Sequence, residues 1–177
     1  MSSGTCSFRS SAIQLALAAF LPLVPLYACD CKAPPVPEAV RQAAAVFTGQ
    51  VIERQELAPS EYGRHRYRIR FKVMSIWKGP DSKELAVYDQ NPAGDCGGWG
   101  FKLGKEYVVF ARKIQATKHV IVRVEDRNVE WPDPWKGVLP VGRRILISGQ
   151  CTHTAEIGSV AATRIIQELG KPRHPVR

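Results

Sequence analysis

Cysteines are the residues of this chain with the clearest potential chemistry. The sequence has five: Cys6 near its start, Cys29 and Cys31 one residue apart, and Cys96 and Cys151 much further along. Thiols can bind zinc, act as nucleophiles or form disulfides. Four-cysteine zinc sites have paired Cys-x-x-Cys spacing, which this chain lacks, so the spacing favours disulfides over a zinc site.

The segment before Cys29 predicts the compartment in which these thiols lie. Arg9 is the only charge before an uncharged, largely apolar run from Ala12 to Ala28. A positive flank, a short apolar centre and a small final residue are typical of a secretory signal peptide. The run contains two prolines and is shorter than the about 20 residues of a membrane-spanning helix. We therefore predict a signal peptide over 1–28, no transmembrane span, and a secreted, extracellular or periplasmic protein.

Cleavage after Ala28 would leave 149 of the 177 residues, enough for one domain, and would remove Cys6. An even set of four cysteines in an exported chain predicts two disulfides. A bridge between Cys29 and Cys31 is disfavoured, because one intervening residue rarely permits unstrained geometry. Both other pairings remain open, and each would close long loops that contribute roughly 4–5 kcal/mol per bridge at most.

A row of cations gives the strongest periodicity in the chain. Apolar residues at 67, 69, 71 and 73 alternate with basic ones, which predicts a strand with one core face and one basic face. The basic face comprises Arg64, Arg66, Arg68, Arg70 and Lys72. It is interpreted either as a solvated surface or as a site for an anionic surface polymer. Tyr67 and Phe71 lie on the core side, so base stacking is not supported and we expect no nucleic-acid partner.

The remaining pattern predicts a mainly β domain over 29–170. Short helices are predicted at 38–45 and 155–169, and strands at 46–54, 64–77, 85–88, 106–112, 119–124 and 144–148. Gly49 is predicted to be a bulge or a point of close approach. Residues 125–142, rich in tryptophan and proline, are predicted to be a surface insertion, and 171–177 a loose tail. The fold class is an antiparallel OB-type barrel of five to six strands with an N-terminal and a C-terminal helix, stapled by disulfides.

Catalytic patterns are weak. His65, His119, His153 and His174 are scattered, and His153 is interpreted as a turn histidine near the disulfide framework. The glycine-rich loop 94–100 lacks the Lys-Ser/Thr of a phosphate-binding loop, and no nucleophilic triad or carboxylate pair is evident. We expect neither enzymatic activity nor a cofactor.

Several segments resemble, in order, the tissue inhibitors of metalloproteinases and related netrin-like modules. Cys29-Asp30-Cys31 resembles the Cys-x-Cys that opens those proteins, and the segments that follow are VFTGQV at 46–51, FKVMSIWKGP at 71–80, Asp95-Cys96-Gly97, GKEYVVFA at 104–111 and Cys151-Thr152. The resemblance covers most of 29–170 and concerns the inhibitory N-terminal domain alone. It implies an OB-type barrel and the bridges Cys29–Cys96 and Cys31–Cys151.

Inhibitors of this family act through the first cysteine, whose free α-amino group and carbonyl oxygen chelate the protease's catalytic zinc. The resemblance thus implies a zinc metalloproteinase as partner, with Cys29 as a zinc ligand in trans. The implied protease contacts are Cys29, Asp30, Cys31, Lys32, Asp95, Cys96 and Gly97. An α-amino group has a pKa of about 7.7–8.0, so the neutral donor is accessible near neutral pH. We expect the protein to act as a monomer.

Two features depart from the family pattern. The family usually has Ser or Thr as the second residue, whereas this chain has Asp30. Asp30 would place a carboxylate in the protease's specificity pocket, which costs free energy unless the pocket contains a cation. Leu26-Tyr-Ala-Cys29 partly resembles a lipoprotein processing site, and a lipid-anchored, acylated Cys29 could not chelate zinc. The alternative to inhibition is a non-inhibitory netrin-like binding or structural module in which Cys-x-Cys is a clamp.

Overall fold

The computed structural model describes residues 33–59, 65–90, 99–124, 127–133, 135–149 and 152–175. These residues are mainly β, with one short helix before the strands and one near the end, as predicted. The elements are α1 Val36–Gln42, β1 Ala45–Leu57, β2 Arg66–Lys78, β3 Glu84–Gln90, β4 Glu106–Gln115, β5 His119–Val124, β6 Arg127–Pro132, β7 Arg144–Ile147, β8 Ala155–Glu156, α2 Val160–Leu169 and β9 His174–Pro175.

Five of the strands pair in a ring, which gives the sheet a barrel-like form. The order is β1-β2-β3-β7-β4, and β4 pairs again with β1. Every contact in the ring is antiparallel except that between β3 and β7. Strand β1 has three register shifts against β2, and such bulges bend a strand so that it can serve two neighbours. A Cβ at Gly49 would lie 2.9 Å from the Lys72 carbonyl oxygen, which confirms the predicted close approach.

Side chains of alternating strand positions fill the barrel. On β2, Tyr67, Ile69, Phe71 and Val73 are all buried, as the period-two pattern predicts. The ring of Phe71 packs edge-on against Phe47 and Phe101, with centroids 5.5 and 5.1 Å apart. A second cluster lies between the two helices and the outer side of the sheet. Its buried members are Val36, Ala39, Ala43, Val46, Val108, Phe110, Ala155, Ala162 and Ile165.

The predicted insertion at 125–142 is partly regular structure. Strand β6 pairs with β5 in a separate two-stranded sheet, so about a third of the expected surface excursion is a strand. Pro132 ends β6, and a two-stranded ribbon tolerates proline because each strand has a free edge. Beyond the hairpin, Trp135 is buried with its ring edge-on to Tyr88 at 5.6 Å. The excursion is therefore anchored to the barrel by an aromatic contact.

The end of the chain also differs from the expectation. Helix α2 begins at Val160 rather than at 155, because Ser159 caps it by accepting a hydrogen bond from the Ala162 amide. The expected loose tail is tied down through residue 175: β9 pairs with β2, and the Arg173 amide donates to the Ile76 carbonyl at 2.7 Å. No helix in the described part of the chain has the length and apolarity needed to cross a membrane.

Candidate functional site

The implied protease contacts lie outside the described residues. This holds for Cys29, Asp30, Cys31, Lys32, Asp95, Cys96 and Gly97, and for Cys151 of the second implied bridge. Segments 1–32, 91–98 and 150–151 carry all of them. The described residues that flank these segments show where each segment joins the rest of the fold.

Strands β3 and β7 end next to each other. Strand β3 ends at Gln90, directly before the segment that carries Cys96, and β7 ends shortly before the segment that carries Cys151. The two strands are parallel, with Tyr88 opposite Ile147, and the Ser148 amide donates to the Tyr88 carbonyl at 3.3 Å. Parallel strands end at the same edge of a sheet. Both cysteine-bearing segments therefore leave the barrel from one edge.

A buried group of hydroxyls holds the chain on both sides of residues 150–151. The Thr154 hydroxyl accepts from the Phe110 amide at 3.0 Å and lies 3.1 Å from the hydroxyl of Ser148. Thr152 donates its hydroxyl to Thr154 at 3.0 Å, or to the Gly149 carbonyl at 2.7 Å. Buried hydroxyls with this many partners fix the local backbone, because each lost bond would leave a polar group unpaired. The flanks of Cys151 are thus rigidly set in the barrel wall.

The N-terminal segment meets the same edge through His153. The His153 Nε2 atom is hydrogen-bonded to the Pro34 carbonyl oxygen, and the His153 ring packs on Phe110 with centroids 5.7 Å apart. His153 is half-buried and links the N-terminal segment to strand β4. Its position in the sequence did not indicate this role. We call the meeting place of Pro34, Tyr88, Ser148, His153 and Thr154 the framework edge.

Asp89 anchors the far side of segment 91–98. Its carboxylate is 1% exposed and accepts hydrogen bonds from the amides of Trp99 at 3.1 Å and Gly100 at 3.0 Å. Burial raises the pKa of Asp89 from 3.8 to about 6, while the amide donors and the charge of Arg54 act in the opposite direction. Trp99 and Gly100, directly after segment 91–98, are therefore held against strand β3. The sequence analysis did not single out Asp89.

The predicted basic face requires a correction. Arg66 is 3% exposed rather than solvated, because its guanidinium donates to the carbonyls of Ala58 at 2.8 Å, Pro59 at 2.6 Å and Lys136 at 3.3 Å. A guanidinium tolerates burial when carbonyls accept from its nitrogens. The side chain joins the end of β1 to the turn after Asp133.

The other members of the row are not equivalent either. Arg70 forms ion pairs with Glu53 at 2.8 Å and Glu84 at 3.6 Å, so its charge is balanced. Arg68 is half-buried, Lys72 is exposed, and Arg64 lies outside the described residues. The structure therefore does not bring these residues together as one continuous surface of free cations.

No group of three or more His, Cys, Asp or Glu side chains among the described residues is placed to hold a metal ion. No family model, no curated protein and no solved structure matches this chain. The framework edge is the place in the described chain where the flanks of all three cysteine-bearing segments come together.

Proposed function

We propose that this protein is a secreted inhibitor of zinc metalloendopeptidases, in which the amine and carbonyl of Cys29 chelate the catalytic zinc of the target. The observation that carries the proposal is the convergence at the framework edge. Pro34, the end of β3 and the flanks of Cys151 meet there through the Ser148–Tyr88 and His153–Pro34 hydrogen bonds. An inhibitor of this kind requires its terminus and its contact loop to sit side by side.

The implied disulfides are compatible with this convergence. Cys31 is three residues from Pro34, and Cys151 is two residues from His153. An extended chain spans at most about 3.3–3.6 Å per residue, and a disulfide needs Cα atoms about 4.4–6.8 Å apart. The contact between Pro34 and His153 is therefore compatible with the bridge Cys31–Cys151 that the resemblance implies, with Cys29 paired to Cys96. The same reach also allows Cys29 to pair with Cys151, so the pairing itself rests on the resemblance.

We also propose that the barrel is of OB type. The ring order β1-β2-β3-β7-β4 and the parallel contact of β3 with β7 support this, because they fit a five-stranded Greek-key barrel. The framework edge would then act as a rigid base for the terminus. A chelating group fixed before binding loses less conformational freedom on association than a free one.

Asp30 then determines which proteases are inhibited. In the proposed complex its side chain enters the specificity pocket next to the catalytic zinc. A carboxylate is costly in an apolar pocket but stabilising opposite a buried Lys or Arg. The preferred target is therefore a metalloendopeptidase with a cation in that pocket, and Asp30→Thr should shift inhibition toward enzymes with apolar pockets.

The decisive experiment blocks the amine without altering the barrel. The exported protein, confirmed by intact mass to begin at Cys29 with no lipid and with two bridges, is titrated against a panel of zinc metalloendopeptidases. A variant with one alanine before Cys29 is compared with a control that carries one alanine after Arg177. We expect the first to lose inhibition by about 100-fold or more, since a zinc ligand is removed, and the second to match the unmodified chain. Equal inhibition by both variants contradicts chelation.

A further inference from the structure

A cationic cleft lies beside the framework edge, with which it shares Tyr88. It has a volume of about 370 Å³ and is lined by residues of β2, β3, β4 and β7, together with Ala44, Pro80 and Arg143. Four of the lining side chains are basic and none is acidic. The basic ones are Arg68, Lys113, Arg143 and Arg144. Only Arg68 belongs to the row that the sequence pattern singled out.

The backbone beneath these cations is fixed by paired strands. Lys113 on β4 is opposite Leu146 on β7, and Arg144 is opposite Gln115. The backbone of Arg143 is fixed by two hydrogen bonds. Its amide donates to the Pro140 carbonyl at 3.0 Å, and its carbonyl accepts from the Ala116 amide at 2.9 Å. Arg68 is opposite Tyr88 in the β2–β3 ladder. Backbone pairing thus fixes the positions from which the four basic side chains extend and brings together residues distant in sequence.

The charges in this cleft are not balanced by the described part of the chain. Arg70, on the same strand as Arg68, pairs with two glutamates, whereas none of the four cleft cations has a carboxylate of a described residue within 4.0 Å. Like charges gathered in a concave site repel one another and raise the local concentration of anions. A bound anion would relieve that repulsion.

We propose that this cleft binds a compact ligand that carries at least two phosphate or sulfate ester groups. Three guanidinium forks suit tetrahedral oxyanions, which they can contact in a bidentate manner, and Lys113 adds a point charge. The volume falls within the range of about 300–1,000 Å³ for small-molecule sites. Ala86, Leu146 and the Tyr88 side chain supply an apolar surface for a ring that carries the ester groups. The proposal uses none of the cysteines and is independent of protease inhibition.

The test uses two probes that both carry several anionic ester groups but represent different kinds of natural ligand. Inositol hexakisphosphate represents phosphate esters, and a trisulfated disaccharide represents a sulfated polysaccharide. Calorimetric titration at about 150 mM salt keeps long-range attraction screened. We expect at least one probe to bind the whole protein with a Kd below about 100 µM. The tighter probe identifies the source of the ester groups.

Variants then distinguish the cleft from general basicity. R68Q/R143Q/R144Q removes three cleft charges, and we expect binding to weaken by about 100-fold or more, since each charge-assisted contact contributes about tenfold. The matched control K102Q/K118Q/K171Q removes three charges from exposed positions that do not line the cleft, and its Kd should stay within about twofold. The single variant Lys113→Gln, expected to weaken binding about tenfold, repeats the test with a smaller change if the triple variant melts early.

Two results would overturn the proposal. One is a control variant that weakens binding as much as the cleft variant, which would assign the attraction to net charge. The other is a wild-type Kd above about 1 mM for both probes. Protease inhibition, measured on the same R68Q/R143Q/R144Q protein, should be unchanged, so failure of this site and failure of the proposed inhibitory function are separable.

Discussion

Asp89 gives the barrel a pH dependence of stability opposite in direction to that of most carboxylates. Its pKa is about 6 in the folded protein and 3.8 as an isolated group, so the folded chain binds more protons between these values. The contribution of Asp89 to stability is therefore greatest below pH 3.8 and falls as the pH rises through 6. The gap of about two units corresponds to about 3 kcal/mol once the carboxyl is ionised.

The substitution Asp89→Asn removes this ionisation and keeps the shape of the side chain. Its amide has one oxygen, whereas the two carboxylate oxygens accept separately from the amides of Trp99 and Gly100. At acidic pH the wild-type carboxyl is protonated and also has a single carbonyl oxygen, so the two proteins should differ in stability by about 1 kcal/mol or less. Between about pH 4 and pH 8 the difference should shift by about 2 kcal/mol in favour of the variant.

Urea unfolding followed by tryptophan fluorescence across this pH range measures the difference directly, because all other titrations are common to both proteins. Asp81→Asn serves as the control, since it removes the same charge from an exposed residue outside the strands. A difference between wild type and Asp89→Asn that stays constant with pH would refute the account of Asp89 as a buried carboxylate whose pKa is raised by burial.

Three further substitutions test the packing that supports the site. Arg66→Met should lower the free energy of unfolding by about 2–4 kcal/mol in urea titrations, because the carbonyls of Ala58, Pro59 and Lys136 lose their charged donor. An effect below about 0.5 kcal/mol, the scale of surface changes, would contradict the role given to this arginine. Gly49→Ala should destabilise by about 1–3 kcal/mol, because its Cβ would overlap the Lys72 carbonyl oxygen, whereas Gly149→Ala, which meets nothing within 4 Å, should be near neutral. Thr154→Val keeps the volume but removes the hydroxyl that the Phe110 amide bonds, so thermal melts should show a loss of about 1–3 kcal/mol; unchanged melting would mean that the hydroxyl group does not hold the flanks of Cys151.

Local patterns predicted the elements well because strand alternation is a local property. The buried Tyr67, Ile69, Phe71 and Val73 follow directly from period two, and Gly49 was identified by its place within a strand. Arg66 has the same period as its basic neighbours, but its guanidinium bonds three carbonyls outside its own strand, one of them 70 residues away in sequence. No local pattern carries that information.

Asp89 and the end of the chain illustrate the same limit. Asp89 is in phase with buried Val87 on β3, a signal that could have marked it as inward-facing. Its role depends, however, on the amides of Trp99 and Gly100, which follow it by ten and eleven residues. Strand β9 has two residues and pairs only with β2. Its sequence alone therefore predicts a loose tail. The candidate site was identified through a family resemblance, and the framework edge became apparent only in three dimensions.

The tie between His153 and Pro34 has a consequence for the order of events in folding. The two residues are 119 positions apart, so almost the whole domain must be synthesised before the start of the chain can dock. Contacts of such long range form late, because a large loop must close first. The terminus therefore acquires its final position only when the barrel is nearly complete. Fragments that stop before residue 153 cannot make this contact, which links correct presentation of the terminus to the integrity of the whole domain.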